Sequence, residues 1–175
     1  MRFRVLPAIA IVLSLAQPAG AQEPDPSQLN DILERAASFD AACTRSVVTL
    51  VTRFPMRCVS RPMLMFWPNG RVSMIFIAVD PNGEKTNVSF NAGSDDQPTL
   101  RQYVMNLSDV RMGPLNDPAS WKQIPVKGRC EIRFRNDAAS VIDGIACVGR
   151  APENVAVFDF SVGPGRVIRE SSKAN

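Results

Sequence analysis

The sequence predicts a mainly β fold, an antiparallel β-sandwich or barrel of about seven or eight short strands with one N-terminal amphipathic helix. Three observations carry this. Strand-like runs at Pro62–Trp67, Arg71–Val79 and Thr86–Asn91 are punctuated by Asn69-Gly70 and by Pro81-Asn82-Gly83, the residues that turn hairpins. Two of the four cysteines, Cys130 and Cys147, fall opposite one another if the segments around them form a hairpin. A helical repeat of apolar residues occurs strongly only once, near the N-terminus.

In chain order, Met1-Arg2-Phe3-Arg4 is a basic start and Val5–Ala16 an apolar run of 12 residues, followed by Ala19-Gly20-Ala21. This pattern predicts a signal peptide over 1–21, because a spanning helix needs about 20 apolar residues. The mature chain is then exported, periplasmic or secreted, with no transmembrane segment. Residues 22–26 (QEPDP) form a flexible leader. Ser27 suits an N-cap, and Leu29, Ile32, Leu33, Ala36, Ala37 and Phe39 follow at helical spacing, predicting a helix over about 27–41. Ser46–Thr52 is β-branched and reads as a strand.

Two-residue Asn-Gly turns in the central meander give two faces. One holds Leu64, Phe66, Ile75, Ile77, Val79, Val88 and Phe90, an apolar core face. The other gathers Met63, Met65, Trp67, Val72, Met74 and Phe76 beside the polar Asn87, Ser89 and Asn91. Gly93–Thr99 (GSDDQPT) reads as a polar loop. Leu100–Met112 fits both periods, and the meander before it favours strand. Gly128–Arg135 and Ser140–Gly149 form a hairpin pairing Cys130 with Cys147 and Ile132 with Ile145, and Asn154–Val162 is a further strand with a frayed tail from Gly163. A single β-rich domain over 27–170, with 171–175 disordered, completes the organisation. Four cysteines in an exported chain predict two disulfides, assigned locally as Cys43–Cys58 and Cys130–Cys147.

The chain has no histidine and no C-x-x-C, which removes Ser-His-Asp and Cys-His nucleophiles, His-ligated zinc and a redox dithiol. No cofactor or metal is expected: the methionines lack the histidine that would accompany them at a copper site, and Asp80–Glu84 lacks the carboxylate ladder of a calcium loop. Asp95-Asp96 has no apolar shield to raise a carboxyl pKa.

Signal removal leaves 18 basic and 17 acidic residues, which argues against nucleic acid as a partner. Local asymmetry survives: between Ala41 and Val79 stand Arg45, Arg53, Arg57, Arg61 and Arg71, with no acid. Sixteen arginines against four lysines suit a GC-rich bacterium. The expected function is therefore a non-catalytic binding or accessory domain of the bacterial envelope, with inhibition of a secreted hydrolase as one form of it. Its partner would be a protein or an anionic envelope component. The alternative is a small histidine-independent hydrolase using a carboxylate pair. The expected ligand-binding residues are Met63, Met65, Trp67, Met74 and Phe76 on the apolar face, and Arg53, Arg57, Arg61 and Arg71 on the basic segment.

Overall fold

The structure, a computed structural model, describes residues 35–50, 53–59 and 61–170, and β-structure runs through almost all of them. The strands are β1 (Arg35–Thr49), β2 (Arg53–Pro55), β3 (Arg57–Cys58), β4 (Met63–Phe66), β5 (Val72–Val79), β6 (Lys85–Thr99), β7 (Gln102–Pro114), β8 (Lys122–Pro125), β9 (Lys127–Phe134), β10 (Val141–Arg150) and β11 (Val157–Glu170). Eight of them, β1, β4, β5, β6, β7, β9, β10 and β11, pair antiparallel with their neighbours, and β11 returns to β1 to close a barrel. Closure gives each of these eight strands a partner on both sides over at least part of its length.

The interior is apolar and filled. Phe39, Met74, Phe76, Val88, Phe90, Met105, Ile132, Ile142, Phe158 and Phe160 lie there almost without exposure. Phe160 packs against Phe76 and Phe90 with ring centroids 5.0 and 5.6 Å apart. The β9–β10 hairpin has the expected register: Cys130 faces Cys147 and Ile132 faces Ile145. Both expected disulfides are present, Cys130–Cys147 inside the core and Cys43–Cys58 at the surface. Tyr103, Met105 and Leu107 alternate inward on β7, so that ambiguous stretch is a strand.

Several expectations change. The helix over 27–41 is not seen where the chain is described: residues 35–41 belong to β1, and 27–34 lie outside the described residues, as do 1–26 and 171–175. β1 pairs with β11 from Ala36↔Glu170 to Thr49↔Val157 and with β4 from Arg35↔Phe66 to Ser38↔Met63. Two-sided pairing of the strand that closes the barrel outweighs a helical spacing of alanines. The GSDDQPT stretch is not a loop but the end of β6, paired with β7 up to Thr99↔Gln102. Both its faces are wet, so it shows no apolar alternation, and the Tyr103 hydroxyl donates to Asp95 at 2.6 Å. The chain beyond Gly163 is paired rather than frayed, because Gly165 and Arg166 meet β1 on one side and β10 on the other. Pro164, which lacks an N–H, is passed over by a register shift at which β11 carries an extra residue, between Ala41↔Gly165 and Cys43↔Val162.

The central hairpins also correct the face assignment. Each loop has three residues, Pro68-Asn69-Gly70 and Pro81-Asn82-Gly83, closed by backbone bonds between Trp67 and Arg71 and between Asp80 and Glu84. The last residue of each loop takes positive φ, 77° at Gly70 and 88° at Gly83, the geometry of a type I turn followed by a left-handed glycine. Relative to a two-residue loop, each slips the register by one and reverses β5. The pairs are Leu64↔Met74 and Phe76↔Val88, so Val72, Met74 and Phe76 face the core and Ile75, Ile77 and Val79 face outward. The two slips cancel across β6, where Val88 and Phe90 stay inside as expected.

Candidate functional site

The barrel wall splits once. From β1 to the segment 53–62, backbone hydrogen bonds join Phe39 N–H to Pro62 O and Met56 N–H to Ser46 O, each 2.9 Å, and the Ser46 hydroxyl also donates to Met56 O. Between these ties the described residues have no backbone bond across the seam. β3 instead turns to β5, pairing Arg57↔Val79 and Cys58↔Ala78, while β1 stays with β11. The result is a slit, crossed by the Cys43–Cys58 disulfide with Cα atoms 6.0 Å apart. A cleft of about 760 Å³ lies over it, lined by Thr44, Arg45, Met56, Arg57, Val59 and Arg61 among others.

The β1–β11 pairing shifts register on either side of Cys43, and Arg45, just past the second shift, has its side chain more than half exposed. Arg45 donates through Nε to Asp159 at 2.5 Å, and Arg61 lies 3.3 Å from Asp40. Arg57 has no carboxylate within ion-pairing distance among the described residues. Exposed pairs of this kind contribute about 0–1 kcal/mol, so an incoming anion competes with them on nearly equal terms.

A second hollow of about 310 Å³ lies on the other side of Arg45, lined by Arg45, Val47, Thr49, Arg150, Val157 and Asp159. Arg45 is thus a ridge shared by both. Barrel closure produces this: β10 lies beside β11 through Arg150↔Val157, and β11 lies beside β1 through Val157↔Thr49. Four guanidiniums (Arg45, Arg57, Arg61, Arg150) face two carboxylates (Asp40, Asp159) over this surface.

The expected site residues divide three ways. Arg57 and Arg61 line the cleft. Arg53 lies on β2 opposite Thr49, at the same end of the barrel. Arg71 lies elsewhere, in the β4–β5 turn, 3.7 Å from Asp109. The apolar group is not one face. Met63, Met65 and Trp67 are half-buried on the outer wall, whereas Met74 and Phe76 are at zero exposure in the core because of the slipped register. Trp67 is tied into the wall: its indole N–H donates to Ser73 at 3.1 Å, Ser73 to Asn91 at 2.8 Å, and Asn91 to Asp109 at 2.7 Å. Sequence reasoning did not single out Arg150 or Asp159, which lie outside the acid-free run and reach Arg45 only through closure. Arg45 stood within that run, and its place there was the one available signal.

No protein-family model, curated protein or solved structure matches this chain.

Proposed function

We propose that the protein is an exported, non-catalytic binding domain whose arginine-lined cleft recognises an anionic partner, in the periplasm or outside the cell. The observation that carries this reading is the cleft itself, where three arginines converge over a split in the barrel wall and Arg57 has no counter-ion among the described residues. Two disulfides fit an oxidising compartment. Binding rather than chemistry is supported by the one charged side chain among the buried residues described, Asp109. Its two oxygens accept from Asn91 at 2.7 Å and Ser108 at 2.9 Å. It acts as a structural acceptor in the wall, not as a general acid held ready for a substrate. Inhibition of a secreted hydrolase is one use such a rigid surface serves.

The test is polyglutamate binding at low ionic strength, followed by calorimetry on the oxidised chain. The double change Arg57→Glu with Arg61→Glu is expected to abolish binding, and Arg129→Glu, exposed on β9 away from the cleft, to leave it within about twofold. Equal loss from Arg129→Glu would reduce the effect to general charge and overturn the cleft as the site.

A further inference from the structure

Taking the cleft as an anion-binding surface, we infer that it is half of a bipartite interface, and that its occupant is an acidic segment of a polypeptide carrying apolar side chains, laid across the strands from Arg57 over Arg45 to Arg150. Three observations assign this. First, the cleft and the smaller hollow share Arg45, and the line from β3 through β1 and β11 to β10 crosses three strand spacings, about 15 Å at roughly 4.8 Å each. A single small anion fills only one end of such a track.

Second, the track is not purely charged. Five large apolar side chains are exposed among the described residues; one of them, Val59, lines the cleft, and two more, Leu50 and Val155, stand in the chain one residue after Thr49 and two before Val157, which line the smaller hollow. Val155 is the most open of the three, at 61%. Arginine mixed with exposed aliphatic side chains is the composition of a protein-binding surface, and a polyanionic glycan has nothing to set against the valines. Third, the disulfide decides the binding mode. A strand inserted between β1 and β3 needs about 9–10 Å between the flanking backbones, two spacings, whereas Cys43 and Cys58 hold their Cα atoms 6.0 Å apart. The partner therefore lies over the slit and makes side-chain contacts, with Asp159 as the internal competitor it displaces from Arg45.

The experiment uses the full oxidised chain, labelled with nitrogen-15, and two synthetic probes of matched negative charge: a soluble ten-residue peptide alternating glutamate with leucine and serine, and an oligogalacturonate. The peptide is expected to bind at least about tenfold more tightly, with amide shifts continuous over 44–49, 57–61 and 150–159. Arg150→Ala and Val155→Ser, both at exposed positions, are expected to weaken the peptide about threefold or more each. Val155→Ser should leave the oligogalacturonate unchanged, and Asp159→Asn should strengthen peptide binding. Oligogalacturonate binding as tightly as the peptide, or shifts confined to the cleft, overturns the bipartite polypeptide site while the anion-binding reading stands. If neither probe binds and polyglutamate also fails, both fall together.

Discussion

Met65 and Met74 are chemically identical, lie on adjacent strands, and differ by which side of a pleated wall they occupy. Met74 has zero exposure among the core aromatics, and Met65 is half-buried outside, across from Ser73. Met74→Ala is expected to cost about 2–5 kcal/mol, as a core truncation does. Met65→Ala should cost less, about 1 kcal/mol, since its side chain keeps contact with water and truncating it leaves no sealed cavity. Urea denaturation of the two variants reads this directly, and equal losses would contradict the register. The same contrast shows why the methionine face was not legible in the sequence. Asn-Gly announces a hairpin, but the choice between a two-residue and a three-residue loop is made by how Pro68 and Pro81 enter the turn and by closure at Trp67–Arg71 and Asp80–Glu84. One residue of difference moves all of β5 to the other side of the wall. The β9–β10 hairpin was legible because centring it on the turn at 136–139 set two cysteines opposite one another, a check on the register that the central hairpins lacked.

The two disulfides do different work on the elements they join. Cys130–Cys147 lies inside a ladder that continues on both sides, from Arg150↔Lys127 to Ile142↔Phe134. Cys43–Cys58 crosses a slit that, among the described residues, has no backbone bond across it between the ties at Phe39–Pro62 and Ser46–Met56. Closing a loop of about 15 residues stabilises by roughly 3 kcal/mol in the chain-entropy model, so both removals are expected to lower the melting temperature. Their local effects should differ. Changing Cys43 and Cys58 to serine is expected to speed amide exchange at 40–45 and 57–61 and to weaken polyglutamate binding, because the arginines lose their fixed spacing. Changing Cys130 and Cys147 to alanine should leave exchange in the slit unaltered. Hydrogen-exchange mass spectrometry separates the cases, and equal protection of the slit in both variants would show that the disulfide does not shape it. That the seam would split was not readable from Arg53–Pro62, whose composition matches any irregular strand; the split follows from β3 choosing β5 over β1. The N-terminal half of β1 was hidden for a similar reason, since Ala37, Phe39 and Ala41 alternate while Ala36, Ala37 and Phe39 also fit a helical period; its C-terminal part was legible as the strand starting at Ser46.

Taken as a whole, the molecule offers its proposed binding surface on the outside of the barrel. The inner positions of the barrel carry Phe76, Phe90, Phe158 and Phe160 in mutual contact, with centroids between 5.0 and 6.4 Å. An eight-stranded barrel is at the size where side chains either fill the lumen or leave room for one small ligand, and this one is filled. On β9 the outer face is charged: Arg129, Glu131 and Arg133 alternate outward with Cys130 and Ile132 inward, the reverse of the lipid-facing pattern of membrane barrels. The proposed recognition accordingly uses side chains on the rim and wall, where the arginine track lies. The consequence for the interior is testable. Phe90→Ala removes a ring that touches three other phenylalanines, so it should cost about 3–5 kcal/mol and leave a dry apolar cavity. If the variant still folds, it should gain affinity for a benzene-sized apolar ligand, seen as a rise in melting temperature on adding the ligand, while its polyglutamate affinity at the cleft stays within about twofold. The wild-type chain should show no such rise. A wild-type barrel stabilised by the same apolar ligand would mean that the lumen already holds a ligand site, and that function would have to be sought inside the barrel rather than on its arginines.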